Sequence, residues 1–250
     1  MKRLIAILIS LCVFAISPSE AAWTFVNTGG TGTSATGTSL TFTIAGVHVG
    51  DVIAINVKWE GGDTTVSCSD TASSYTDAFV GAHVTGTNGG SQTMCYTLSS
   101  GTSGTVTYTV TWGATRTFRD IGGIAYTPPS AAVLDGTGHL ASATAATADS
   151  GNMTTTSTDG LAVGGYGETG GVPTTASAAI NSVTRDQILA YGSASHSCIW
   201  SKSYSSGFTG SATVPLGSST VYNAGIIAFK PSGAVATSGF NKLGRLERME

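Results

Sequence analysis

The chain has 250 residues, of which only 10% are charged, and its formal net charge is −3. Ordinary globular proteins carry about 25% charged residues, whereas this chain is rich in Thr, Ser and Gly. The absence of a basic patch excludes a nucleic-acid-binding surface, and the absence of an acidic block excludes a cation-storage protein. The length is sufficient to bury a sizeable core.

The first 22 residues have the pattern of a secretory signal peptide. Lys2 and Arg3 precede an apolar run over residues 4–16, and Ser19 and Ala21 place small residues at the −3 and −1 positions of a cleavage site. A membrane anchor is the alternative, but a span needs about 20 apolar residues. We therefore expect an exported protein with no membrane span after cleavage, located outside the cell, on the cell surface or on a virion exterior.

Short strands separated by glycine-rich turns follow in the mature chain. Strand patterns are predicted over residues 39–44, 50–62, 65–69, 92–98, 105–112 and 121–127, with a weaker one over 75–84. In the second of these strands Ile53, Ile55, Val57 and Trp59 share one face, which predicts a strand with a single buried face. The same alternation assigns Trp112 to the core.

The second half of the chain resembles the first. The matching pairs of segments are 51–62 with 159–171, 91–96 with 194–199, and 121–128 with 223–231. We predict an all-β, two-sheet antiparallel β-sandwich, jelly-roll or Ig-like, built from two pseudo-repeated halves of about 23–132 and 133–232. Two Ig-sized sandwiches are the alternative. A single sandwich is favoured because the junction has neither a Pro/Ser linker nor a charge run.

Several of these segments carry a resemblance. Gly50-Asp51 before an apolar strand, Trp59-Glu60-Gly61-Gly62, the run 66–70, and the closing segments 125–128 and 228–231 are similar to those of uncharacterised β-sandwich proteins. Such proteins occur among secreted bacterial proteins and in phage genomes. The resemblance covers most of residues 39–232. It implies a sandwich fold and an exterior or virion location, and it brings no catalytic residues.

Three cysteines remain after removal of the signal peptide, namely Cys68, Cys95 and Cys198. An oxidising compartment favours a disulfide between two of them. Cys68–Cys95 is preferred because these cysteines lie on neighbouring strand patterns of one half. Cys95–Cys198, which occupy equivalent places in the two halves, is the alternative, as are three buried reduced thiols.

Two groups of residues are candidate binding sites. Glu60, Asp63 and Asp70 offer the oxygen ligands of a structural calcium ion, although their spacing matches no known calcium loop. No other cofactor is predicted. Trp200, Tyr204, Tyr166 and Tyr191 are candidates for an exposed aromatic platform that binds a ligand such as a carbohydrate.

The last 18 residues differ from the rest of the chain. Residues 233–239 are small and predict a flexible linker. Phe240, Leu243, Leu246 and Met249 recur every third residue, which predicts a short amphipathic tail. A helix of this length is marginal alone. The tail is therefore a candidate for self-association into a homo-oligomer, and a frayed terminus is the alternative.

No catalytic motif is present, so we expect a non-catalytic protein. The predicted function is binding or adhesion toward a carbohydrate or a surface protein. The alternatives are a structural subunit of a virion or an extracellular appendage, and a hydrolase without a recognisable motif. Fold class alone does not distinguish them.

The signal-peptide pattern leads to the first testable prediction. Exported protein should begin at Ala22 or Trp23, because the cleavage pattern ends at Ala21 or Ala22. Intact-mass measurement of material recovered outside the cell would check this. Extracellular protein that retains Met1 would contradict it.

Overall fold

The computed structural model describes residues 22–78, 83–85, 90–168, 177–191 and 196–233. These residues form antiparallel strands with no α-helix, which confirms the predicted all-β sandwich class. They contain no helix with the length and apolar character that crossing a membrane requires. The predicted signal peptide lies outside the described residues except for Ala22, and the C-terminal tail lies entirely outside them.

The first eight strands form one eight-stranded sheet. They are β1 (Thr24–Thr33), β2 (Gly37–Val47), β3 (Val52–Glu60), β4 (Val66–Ser69), β5 (Ser74–Asp77), β6 (Val84–Thr85), β7 (Gly90–Thr97) and β8 (Gly104–Thr127). The long strand β8 pairs with β2 and β4 through its first part, and with β1 and β3 through its last part. The sheet is therefore folded over the side chains that it encloses.

The remaining strands form a second eight-stranded sheet and a two-stranded one. They are β9 (Ala132–Leu134), β10 (His139–Asp149), β11 (Met153–Thr154), β12 (Gly160–Glu168), β13 (Ala179–Ile180), β14 (Val183–Thr184), β15 (Gln187–Tyr191), β16 (His196–Tyr204), β17 (Thr209–Gly210) and β18 (Ala212–Pro231). Strand β12 lies between β16 and β18, as β3 lies between β7 and β8. Whether the halves are copies of one another stays a prediction.

Three hydrophobic clusters hold the structure together. One contains only residues 42–125, and another contains only residues 148–228. The third draws on both parts of the chain, with Val52 and Ala54 of β3 beside Leu161 and Val163 of β12. Trp59 and Trp112 are buried in the first cluster, as predicted. The described residues thus have a core in each half and another between the halves, and the choice of one sandwich over two stays a prediction.

Strand β3 is buried on both faces, which corrects the prediction of a single buried face. Asn56 and Lys58 are 0% exposed because the second half covers them. A Cβ on Gly165 would lie 2.5 Å from Asn56 Oδ1, and a Cβ on Gly167 would lie 2.6 Å from Lys58 Cγ. Glycines on β12 therefore leave the space that the polar side chains of β3 occupy.

Hydrogen bonds satisfy Asn56 in this position. Its Nδ2 donates to Tyr166 O at 2.9 Å and to Tyr191 Oη at 2.7 Å, and its Oδ1 accepts from Gln92 Nε2 at 2.6 Å. The Lys58 ammonium lies 3.4 Å from Glu60 Oε1. A buried polar group is stable only with such partners. The halves are thus held by specific polar contacts as well as by apolar packing.

Other polar contacts cross between the halves. Ser197 Oγ donates to Asp120 Oδ2 at 3.0 Å, and Asn223 Nδ2 donates to Gly90 O at 3.0 Å. The Tyr126 and Ser201 hydroxyls lie 2.8 Å apart. Each contact joins a residue before position 130 to one after position 190, so together they fix the relative placement of the two sheets.

A disulfide joins Cys68 on β4 to Cys95 on β7, with the Cα atoms 6.3 Å apart. This is the pair that the sequence favours over Cys95–Cys198. Cys198 is a buried free thiol, and burial raises its pKa. The bond connects the two layers of the first half across their hydrophobic cluster.

The contacts of Asn56 lead to a prediction on stability. Asn56→Ala should lower the free energy of unfolding by at least about 2 kcal/mol, because it leaves buried groups on both halves without partners. Urea denaturation would measure the loss. The control is Asn152→Ala, at an exposed position, which should change stability by less than about 0.5 kcal/mol. Equal effects of the two substitutions would contradict the role assigned to Asn56.

Candidate functional site

A cleft of about 300 Å³ opens on the second half. It lies between the β13–β14 hairpin and the end of β16. Its main lining residues are Asn181, Val183, Lys202, Ser203, Tyr204 and Phe208. It therefore combines an aromatic pair, an amide, an ammonium and hydroxyl groups in one concave site, which is the usual make-up of a small-molecule site.

The hairpin that forms one wall has a two-residue turn. Ile180 pairs with Val183, and the residues between them, Asn181 and Ser182, have φ angles of 50° and 60°. Two successive positive φ angles define the turn that matches the twist of a hairpin, and Asn tolerates this conformation. A Cβ on Gly210 would lie 2.4 Å from Asn181 Oδ1. The Asn181 side chain is therefore held over a glycine at the edge of the cleft.

The aromatic pair forms the other wall. The Tyr204 and Phe208 rings meet edge to face with their centroids 5.2 Å apart, and both residues are half-buried. A Cβ on Gly160 would lie 2.2 Å from Tyr204 Cζ, so the ring lies flat on β12 only because residue 160 is a glycine. The pair presents a fixed apolar surface to the cleft.

An ion pair borders the cleft and balances its charge. Lys202 Nζ lies 2.6 Å from Asp186 Oδ1, while Asp186 Oδ2 accepts hydrogen bonds from Ser203 N and Oγ, both at 2.7 Å. Partial burial of Asp186 opposes its charged form. The contacts with Lys202 and Ser203 outweigh this effect and lower the pKa of the carboxyl. The cleft therefore has a polar rim without net charge.

The buried carboxylate of Asp135 anchors Tyr204 from below. Its Oδ2 accepts the Tyr204 hydroxyl at 2.7 Å and Ser157 N at 2.9 Å, and Oδ1 accepts Thr156 Oγ1 at 3.0 Å. Lys230 Nζ lies 3.3 Å from Oδ1. Burial opposes ionisation of Asp135, but the hydrogen bonds outweigh it and lower the pKa to about 2. Asp135 therefore stays ionised and fixes the orientation of the ring.

The structure corrects the predicted aromatic platform. Trp200, Tyr166 and Tyr191 are buried, and only Tyr204 lines the cleft. Trp200 Nε1 donates to Ala179 O at 3.1 Å inside the second half, and the Tyr191 hydroxyl bonds to Asn56 between the halves. Their polar atoms thus find protein partners, as buried Trp and Tyr usually do, and the four residues do not share a surface.

The three carboxylates proposed for calcium do not converge either. Glu60 contacts Lys58, and Asp63 lies 2.8 Å from His83 Nδ1. Asp70 accepts hydrogen bonds from the backbone N–H groups of residues 72 and 73, and from Tyr75 Oη at 2.9 Å. No three His, Cys, Asp or Glu side chains in the described part of the chain are grouped to hold a metal ion. Glu60 and Asp63 are instead paired with cationic or imidazole groups, and Asp70 stabilises its own turn.

No family model, curated protein or solved structure matches the chain. The cleft must therefore be interpreted from its own chemistry.

Sequence reasoning missed Asn181, Asp186, Lys202 and Phe208. The hairpin had a usable indicator, because Asn181 and Ser182 stand between the apolar residues Ile180 and Val183, and two turn-forming residues between apolar positions favour a tight hairpin. Phe208 had none. It is an isolated aromatic after a glycine, and only the fold brings it to Tyr204.

The ionised state of Asp135 leads to a prediction on pH dependence. Its folded pKa of about 2 lies below the ordinary value of 3.8. The stabilisation is therefore fully present above about pH 4 and is lost as the pH falls toward 2. Asp135→Asn should destabilise the protein at neutral pH, and its difference from the wild type should shrink in acid.

Urea denaturation at a series of pH values would measure this difference. Tyr204→Phe is the companion variant, because it removes one donor to Asp135 and keeps the ring. It should cause a smaller loss with the same trend. The loss of unfolding free energy caused by Asp135→Asn could instead be constant from neutral pH to pH 2. The effect would then come from packing and not from the charge of Asp135.

Proposed function

We propose that this protein is an exported, non-catalytic binding protein whose cleft on the second half takes a neutral carbohydrate. The observation that carries the proposal is the half-exposed Tyr204–Phe208 pair beside polar groups that are already charge-balanced. Aromatic rings contact the C–H faces of a sugar, while the surrounding amide and hydroxyl groups hydrogen-bond its hydroxyls.

The charge arrangement favours a neutral ligand. Lys202 is paired with Asp186, whose other oxygen is occupied by Ser203. An acidic sugar would have to compete with Asp186 for Lys202, and it would leave a carboxylate without its partner. A neutral sugar needs no such exchange, because it can use Asn181 and the serines of the rim.

The size and rigidity of the cleft support a small ligand. Its volume of about 300 Å³ lies at the lower end for small-molecule sites. Asp135 holds Tyr204, and the hairpin turn holds Asn181, so binding would order few side chains. Preorganisation of this kind lowers the entropic cost of binding.

The export part of the proposal rests on the N-terminal pattern and on the resemblance to secreted and phage-associated sandwich proteins. The Cys68–Cys95 disulfide supports it, because structural disulfides form in oxidising compartments. A protein of this kind would act at a cell surface or on a virion exterior by attaching to glycans.

The test is binding to an array of neutral and uronate-containing oligosaccharides. Wild-type protein should bind neutral members, and Phe208→Ala should lose most of this binding because it removes one ring of the pair. The matched control is Val49→Ala, which removes a 69% exposed apolar side chain in the first half and should bind as the wild type does. Wild-type binding confined to uronates would contradict the neutral-ligand proposal. Equal binding by Phe208→Ala and Val49→Ala would contradict the assignment of the cleft as the binding site.

A further inference from the structure

The outer layer of the first half carries a regular array of hydroxyl groups. Strands β2, β8 and β4 lie side by side there, and their outward residues align across the sheet. The aligned rows are Ser39, Thr111 and Ser67, then Thr41, Thr109 and Ser69, then Thr43 and Thr107. We call these eight residues the hydroxyl lattice. It lies on the face of this layer that points away from the first hydrophobic cluster.

The geometry of the sheet sets the spacing of the lattice. Alternate residues on one strand repeat at about 6.8 Å, and neighbouring strands lie about 4.8 Å apart. The inward residues between the lattice positions, such as Phe42, Tyr108 and Val110, are buried. Cys68 lies between Ser67 and Ser69, and its disulfide ties β4 to the inner layer. The positions of the hydroxyl-bearing residues are therefore fixed by the core beneath them.

The lattice hydroxyls form no hydrogen bonds with protein groups in the part of the chain that the structure describes. The backbone oxygen of Ser39 accepts a hydrogen bond from Arg119 Nη1 at one corner of the lattice. Hydroxyls elsewhere behave differently, since Thr154 Oγ1 and Thr209 Oγ1 lie 2.9 Å apart and bond across strands. The lattice thus offers an ordered set of donors and acceptors directed to the outside.

The chemistry of this face limits its partner. The eight outward positions include no charged residue, although the Arg119 guanidinium reaches one corner through its hydrogen bond to Ser39 O. They also include no aromatic residue, because Phe42, Tyr108 and Trp112 point inward. A sugar platform of stacked rings is therefore absent at these positions. What they present is a two-dimensional repeat of hydroxyl and methyl groups, which fits a partner with its own regular repeat of hydrogen-bonding groups.

We propose that the hydroxyl lattice binds the surface of ice. Water oxygens on a prism face of hexagonal ice repeat in two perpendicular directions at distances close to the two repeats of the sheet. A hydroxyl has one donor and two acceptor positions, so it can take part in such a network. Threonine is suited to this role because its branched Cβ restricts the side chain to few rotamers.

The second half provides an internal comparison. Its long strand β18 pairs with β13 and β10 where β8 pairs with β4 and β2. The aligned residues there include Ala179 beside Thr213, and Thr147 beside Pro215. Alanine and proline interrupt the hydroxyl repeat. The lattice is therefore a property of one face of the first half and is independent of the cleft on the second.

The test is partition of the full chain into slowly growing ice, together with thermal hysteresis. Wild-type protein should be enriched in the ice fraction, and Thr109→Lys should abolish this enrichment by placing a charged chain at the centre of the lattice. The control is Thr147→Lys, which places the same charge at an exposed position on the second half and should partition as the wild type does.

A second variant covers the case in which Thr109→Lys does not fold. Thr43→Lys lies at an exposed corner of the lattice and should also lose enrichment while its circular dichroism spectrum stays unchanged. Exclusion of the wild type from ice would overturn the proposal. So would equal enrichment of Thr43→Lys and Thr147→Lys, or lattice-dependent binding to insoluble cellulose without any enrichment in ice.

Discussion

The fit of Asn56 and Lys58 against the glycines of β12 is the constraint on which the rest of the structure depends. Both side chains are polar and fully buried, so they are stable only where partners are in reach. Gly165 and Gly167 provide the space, and Tyr166 O and Tyr191 Oη provide the hydrogen bonds for Asn56. Apolar surfaces could slide past one another, but these bonds exist in only one placement. The polar contacts thus select a single arrangement of the two sheets.

The cleft depends on the same arrangement indirectly. Strand β16 pairs with β12 from Gly160↔Tyr204 to Glu168↔His196. One end of this ladder faces the first half, where Ser197 donates to Asp120. The other end places Tyr204 on Gly160 and over Asp135. A rigid ladder therefore connects the interface between the halves to Tyr204 in the aromatic wall of the cleft, whereas Phe208 lies on the loop that follows β16.

Alternating sequence patterns predicted the strands in which at least every second residue is buried. Strand β3 and the first part of β8 are examples, as are their buried tryptophans. The preferred cysteine pair also followed from neighbouring strand patterns. The second face of β3 was not predictable in this way, because Asn56 and Lys58 alternate with apolar residues in the same manner whether water or a second sheet covers them. Their partner glycines lie more than 100 positions away in the chain.

The sequence did not predict the cleft for a related reason. Tyr166, Tyr191 and Trp200 look like surface aromatics because glycine, serine and lysine surround them in sequence. In the fold, glycines on neighbouring strands, distant in sequence, leave the space in which the Trp200 and Tyr191 rings are buried. Gly164, for example, lies against the Trp200 ring. Composition near an aromatic residue therefore gave the wrong inference about its exposure.

The polar character of the β3 face has a consequence for synthesis of the chain. In the described residues, no strand before residue 130 shares a ladder with a strand after it. The first half can therefore complete its ladders while the second half is still being made, since domains fold as they emerge. During that interval Asn56 and Lys58 face water. A nascent first half therefore exposes two polar side chains beside the apolar Val52 and Ala54, and less apolar surface than a wholly apolar face would expose.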